Sequence, residues 1–152
     1  MKILFVCLGN ICRSPLAEGI MVSKIKEHNL DWIVDSAGTG GYHIGDLPDN
    51  RSIEVAKKHG IDIKNQRGRK VRSIDFKEFD YIFAMDNSNY RDLNKLALDH
   101  ERQKIKLILN EIYPNENRNV PDPYYGGDNG FEEVFDMLEK ACEAIILKYS
   151  VN

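Results

Sequence analysis

An apolar run, Ile3-Leu4-Phe5-Val6, ends at Cys7, and six residues on Arg13-Ser14-Pro15 leads into a helical pattern. A strand with no polar alternation is buried on both faces, the habit of a parallel sheet covered by helices. Pro15 suits the first turn of a helix, where its missing N–H costs nothing. Strand, tight loop and helix at the very start commit the chain to an α/β architecture.

The remainder repeats that alternation. Helical spacing runs from Pro15 to about His28 with Leu16, Ile20 and Ile25 apolar, and Trp32 to Asp35 reads as a second strand ahead of a Gly-rich loop, Ala37 to Asp46. Asp49 or Asn50 caps a helix carrying Ile53, Val55 and Ala56 that stops at His59-Gly60. A short helical segment at Ser73 to Phe79 precedes a strand at Tyr81 to Met85, a helix opened by Asn87 or Ser88, and a fourth strand at Ile105 to Leu109. An irregular stretch from Asn110 to Asn129 holds Pro114, Pro121 and Pro123. Phe131 to Tyr149 closes the chain as a helix with Val134, Phe135, Leu138, Cys142, Ile145 and Ile146 on its apolar side. The expectation is a parallel sheet with helices on both faces, in a single domain over 1–152. Ligands of such sheets sit beyond the carboxyl ends of the strands, where Cys7 lies.

Charge and cysteine content narrow the setting. A formal net charge of −3 offers no general attraction to nucleic acid or to anionic membranes. No apolar stretch approaches a membrane span, and Met1-Lys2 runs straight into a strand rather than a signal peptide. Three cysteines, an odd number, argue against a disulfide framework and for a reducing cytoplasm. His28, His43, His59 and His100 have no metal-ligand spacing and the cysteines form no C-x2-C pair, so neither a metal nor another cofactor is expected.

The chemistry lies in the first loop. Cys7-Leu8-Gly9-Asn10-Ile11-Cys12-Arg13 is Cys-x5-Arg, a spacing that two fixed residues alone would match in many chains. Its context sharpens it. Backbone N–H groups of a loop that enters a helix N-terminus point inward and bind an anion, and the partial positive charge there favours a negatively charged sulfur. Gly9 reaches loop dihedrals closed to other residues. Arg13 can fold its planar fork back over the loop and hold a phosphate in bidentate fashion. Ser14 either caps the helix or hydrogen-bonds the thiolate. The pattern describes a nucleophile aimed at phosphorus.

A phosphate ester also needs its leaving oxygen protonated. Asp122, held between Pro121 and Pro123 in the long irregular stretch, is the candidate acid; alone it would be an ordinary Asp-Pro turn. Tyr42, Tyr124 and Tyr125 either line an aromatic cleft for a flat substrate ring or pack as half-buried core residues. Ser36 either donates to the phosphate loop or is a turn hydroxyl. The His59 ring either bonds Asn10 or caps carbonyls at a helix end. Lys64, Arg67, Arg69, Lys70 and Arg72 form a basic edge.

Val6-Cys7-Leu8-Gly9-Asn10-Ile11-Cys12-Arg13-Ser14-Pro15-Leu16-Ala17-Glu18 resembles the signature of low-molecular-weight protein tyrosine phosphatases nearly residue for residue. Asp122-Pro123-Tyr124-Tyr125 is similar to that family's general-acid loop, and Asp35-Ser36-Ala37-Gly38, His59-Gly60-Ile61 and Ala84-Met85-Asp86-Asn87-Ser88-Asn89 match in order between them. Asp49-Asn50 stands where the family commonly has Asp-Pro. The resemblance implies a four-stranded parallel sheet flanked by helices on both faces, and phosphotyrosine-containing proteins as substrates. It implies a phosphocysteine intermediate on Cys7, with Arg13 and the loop Leu8 to Cys12 binding the phosphate and Asp122 as general acid and base. Asn10, Ser14, Ser36 and His59 match positions that support the loop. Cys12 matches a second cysteine that in the family forms a reversible disulfide with the nucleophile.

Three other readings of the same loop compete. A thioredoxin-coupled arsenate reductase needs further redox cysteines, and only Cys142, on the apolar side of the last helix, is left. The resemblance implies threonine in phosphoarginine phosphatases where this chain has Ile11, and an aliphatic Ile11 favours an aromatic ring. A phosphocarrier must preserve its phosphocysteine and has no use for Asp122.

Overall fold

The structure, a computed structural model, describes residues 1–125 and 129–151, without the side chain of Tyr125. Four parallel strands form one sheet in the order β2-β1-β3-β4: β1 Lys2–Cys7, β2 Ile33–Gly38, β3 Tyr81–Ala84 and β4 Ile105–Leu107. The helices are α1 Arg13–Glu27, α2 Asn50–Lys58, α3 Asp75–Glu78, α4 Asn87–Leu96 and α5 Gly130–Tyr149.

Side-chain alternation explains why the strands are apolar throughout. Ile3, Phe5, Cys7, Phe83 and Met85 face one core with Leu16, Ile20, Val55, Val134, Phe135 and Leu138 from α1, α2 and α5. Leu4, Val6, Ile82 and Ala84 face the other, with Phe76 of α3 and Leu93 of α4. Both faces are thus covered, as the unbroken apolar runs predict. β1 is central, paired with β2 on one side and β3 on the other. The chain adds β2 on one side of β1 and then crosses to add β3 and β4 on the other, so the crevice at the carboxyl end of β1 opens beside Cys7.

Several boundaries differ from the sequence-based expectation. β2 begins at Ile33 and continues through Gly38, so Ser36 belongs to the strand and not to a turn. The strand extends because β1 pairs with it as far as Cys7 opposite Gly38. β4 stops at Leu107, and Ile108–Glu111 tightens into a 3₁₀ turn. Asp86, not Asn87 or Ser88, caps α4 by accepting from the Asn89 N–H. Asp49 caps α2 by accepting from Arg51 N–H, and Gly60 at φ +76° ends it. Gly19 lets the segment after α2 lie tight against α1: a Cβ there would come within 2.5 Å of Ile63.

Candidate active site

The loop between β1 and α1 is fixed by one residue in an unusual conformation. Asn10 has φ +58°, a left-handed backbone that asparagine tolerates better than most side chains. Its side chain is buried and spent in three directions. Nδ2 donates to Ser14 Oγ at 2.8 Å and to Ser36 Oγ at 3.0 Å, and Oδ1 accepts from Arg69 N–H at 3.0 Å. Its own backbone N–H donates to Cys7 Sγ at 3.3 Å, and Ser14 Oγ lies 3.0 Å from the same sulfur. Ser14 therefore meets the thiol rather than capping the helix. An anionic sulfur there would take the Ser14 hydroxyl proton as a hydrogen bond, because Ser14 already accepts from Asn10.

The loop's carbonyls are tied down from behind. Thr39 N–H donates to Cys7 O and Gly40 N–H to Leu8 O, both at 2.9 Å, while Asp49 N–H donates to Ile11 O at 2.8 Å. Ser52 Oγ donates to Cys12 O. Gly38 makes the close approach of the Leu8 carbonyl possible, since a Cβ there would stand 2.7 Å from Leu8 O.

Arg13 is 3% exposed and anchored at one nitrogen. Nη1 donates to Asp86 Oδ2 at 2.8 Å and to the Val120 carbonyl at 2.9 Å. Nε and Nη2 have no protein partner among the described residues, which leaves three N–H groups for an anion. Asp86 and Val120 lie far from Arg13 in sequence. Their anchoring role was not read from the sequence, although Asp86 stands in a matched stretch at the end of β3.

Cys7, Leu8, Gly9, Ile11, Cys12 and Arg13 form the floor of a cleft of about 460 Å³ whose rim holds Tyr42, His43, Asp122 and Tyr124. Asp122 is half-buried and accepts from the Tyr124 N–H at 3.0 Å. The Arg51 guanidinium lies over the Tyr124 ring, 5.2 Å from its centre, and over the Phe131 ring at 4.6 Å. It also donates to the Tyr124 carbonyl and to both oxygens of Asp49. Arg51 thus links the Asp122 segment to the start of α2, and no sequence pattern announced it. Tyr42 is 76% exposed at the rim rather than packed in the core. The expectation for Tyr125 falls on a side chain outside the described residues.

The expectation for His59 is corrected. Its Nε2 lies 2.7 Å from Glu132 Oε1 and its ring stacks on Phe135 at 4.0 Å, tying α2 to α5. Among the described residues the ring neither bonds Asn10, whose oxygen is taken by the Arg69 backbone, nor caps a carbonyl. That leaves the Arg69 side chain to pair with Asp35 and the fully buried Asp75. Part of the basic edge is therefore scaffold.

Cys7, Cys12 and Cys142 are all free thiols. Burial pushes the Cys12 thiol up to about 12, with Asp49, Cys7 and Asp122 adding to the rise. Cys12 therefore stays protonated beside Cys7. Cys142 lies wholly buried in α5, where its thiol meets the Ala17 carbonyl.

The family model for low molecular weight phosphotyrosine protein phosphatases matches residues 2–151. A low molecular weight phosphotyrosine protein phosphatase of Schizosaccharomyces pombe is 45% identical over 141 residues, 91% of this chain and 90% of the relative. The crystal structure of a protein tyrosine phosphatase from Entamoeba histolytica superposes with a TM-score of 0.93 at 49% identity, covering 99% of this chain and 97% of that one. A Drosophila arginine phosphatase superposes at 0.92 with 39% identity, covering 100% and 99%.

Proposed function

The chain belongs to the low molecular weight phosphotyrosine protein phosphatase family, and we propose that it hydrolyses phosphotyrosine in protein substrates with Cys7 as nucleophile, Arg13 as phosphate clamp and Asp122 as general acid and base. The observation that carries this assignment is that all three side chains line one cleft, with the thiol at its floor and the carboxyl at its rim. The amides of Leu8 to Arg13, apart from the Asn10 N–H that meets the Cys7 sulfur, and the free N–H groups of Arg13 take the three non-bridging phosphate oxygens. The Cys7 thiolate attacks phosphorus in line with the tyrosyl oxygen. As the S–P bond forms, the P–O bond to the phenol breaks and the Asp122 carboxyl gives its proton to the leaving oxygen. Water then attacks the phosphocysteine, Asp122 takes its proton, and the S–P bond breaks to return the thiolate and release inorganic phosphate. Fixed donors around the developing charge supply the largest share of the acceleration.

Ile11 lines the cleft, and an aliphatic side chain beside the phosphate loop supports phosphotyrosine over phosphoarginine as the substrate. A catalytic thiol needs a reducing compartment, so we place the enzyme in the cytoplasm.

The test is hydrolysis of an aryl phosphate and of paired phosphotyrosine and phosphoarginine peptides, without metal or thioredoxin. Cys7→Ser should lose turnover by at least about 10⁴-fold while still binding inorganic phosphate, because Arg13 and the loop amides remain. Appreciable turnover in that variant would reject covalent catalysis. Preference for phosphoarginine would reject the substrate assignment.

A further inference from the structure

Behind the nucleophile loop, on the far side of Ser36, lies a second cleft of about 620 Å³ that touches none of the substrate-facing residues. Glu18 of α1 lines it. The Glu18 carboxylate is the last member of an unbroken chain of hydrogen bonds. Ser36 Oγ donates to Glu18 Oε1 at 2.7 Å, Asn10 Nδ2 donates to Ser36 Oγ at 3.0 Å and to Ser14 Oγ at 2.8 Å, and Ser14 Oγ meets Cys7 Sγ at 3.0 Å. Three side chains, Ser36, Asn10 and Ser14, thus connect a carboxylate in one cleft to the sulfur in the other.

We propose that Glu18 is a positioning residue for the reaction, whose carboxylate orients the Ser36 hydroxyl and, through Asn10 and Ser14, the hydrogen bond received by the Cys7 sulfur. This rests on the assignment of Cys7 as nucleophile. The directions of the bonds explain how the constraint travels. A hydroxyl has one proton, and Glu18 draws that of Ser36 toward itself, turning the Ser36 lone pairs to Asn10. The Asn10 amide, with its oxygen held by Arg69 N–H, can then give its two hydrogens only to Ser36 and Ser14. Ser14, already accepting from Asn10, has its own proton left for sulfur.

The carboxylate is also set to change charge in the working range. Burial pushes the Glu18 carboxyl up to about 7, and Asp35 on β2 adds to the rise; the Ser36 hydrogen bond and the Arg69 cation oppose it. Lys26 on α1, with Asp62 and Arg67 on the segment after α2, are the other charged groups lining this cleft. When Glu18 takes a proton it becomes a donor, and its O–H then competes with the Asn10 amide for the Ser36 lone pairs. The grip on Ser14 loosens at the same step.

The test reads the sulfur directly. The full-length protein is alkylated with iodoacetamide from pH 5 to 9, with inorganic phosphate protection identifying Cys7 as the labelled site, and kcat and KM for an aryl phosphate are followed over the same range. In the parent the Cys7 rate should need two ionisations, the thiol and a second near 7. Glu18→Gln, shown to melt cooperatively, should lose the second and lower kcat about fivefold above pH 7 with KM little changed. Ser36→Ala cuts the chain, so adding Glu18→Gln to it should change nothing further. Superimposable profiles for parent and Glu18→Gln would overturn the proposal, as would an undiminished Glu18→Gln effect in the Ser36→Ala background. Turnover surviving in Cys7→Ser would instead remove the nucleophile assignment, leaving the alkylation profiles to decide on Glu18 separately.

Discussion

Around Cys7, the polar groups of the loop are met by buried partners from β2, the start of α2 and the segment carrying Arg69, while Asp122 is met by the Tyr124 amide and, through Tyr124, by Arg51 at the surface. The phosphate side is over-determined and the acid side is lightly held. Each suits its task. An anion cradle works by having its dipoles in place before charge develops, so rigidity there is catalysis. An acid that must give a proton and then take one from water is served by a short segment with room to adjust.

That contrast can be broken most sharply by leaving-group dependence. Asp122→Asn should slow tyrosyl phosphate hydrolysis by about 10²–10⁴-fold and spare esters of acidic phenols, whose oxygen departs with little need of a proton. A loss independent of leaving group, in a variant that melts like the parent, would return Asp122 to a structural role. Arg13→Lys should cost about 10²–10³-fold on every ester alike. One ammonium cannot both replace Nη1 between Asp86 and Val120 and present the Nε and Nη2 fork to phosphate. Near-normal rates with lysine would show the clamp to be a point charge.

Stability offers a subtler probe of the cradle. Glu18 sits near 7 when folded against an ordinary 4.5, so the folded state holds its proton the more tightly. The stability this contributes is complete below about 4.5 and is lost as pH rises through about 7. Glu18→Gln should therefore match the parent in thermal melts near pH 5 and exceed it at pH 8.5, by about 1–3 kcal/mol. An equal difference at both pH values would place the Glu18 carboxyl in its ordinary range. The smallest effect concerns recovery and not rate. After mild peroxide the parent should regain activity with thiol through a Cys7–Cys12 disulfide, and Cys12→Ser should regain less. Equal recovery would remove Cys12 from any protective part.

The cradle was legible in the sequence because its chemistry is contiguous: Cys7, Asn10, Arg13 and Ser14 lie within one short loop between two elements that declare themselves. The sheet was legible for a similar reason, since strands buried on both faces admit few polar residues. What escaped were the partners brought in by topology. Asp86 reaches Arg13 only because β3 lies beside β1, and Arg51 reaches Tyr124 only because α2 and α5 pack together. His59 misled because a histidine beside a glycine at a helix end fits several roles, and only packing shows that Glu132 and Phe135 claim it. Backbone donors such as Arg69 N–H leave no mark on a sequence at all.

Cys7 terminates a strand with hydrogen-bonded neighbours on both sides, and the loop that follows is stitched by its own carbonyls to the residues just after β2. Elements of that kind are the last to open, their amides exchanging with solvent only when the whole chain does. The cradle therefore has no private way of unfolding. A molecule warm enough to lose the geometry at its sulfur has already lost its sheet, so the phosphate-binding capacity left in a heated sample is a census of molecules that are still folded.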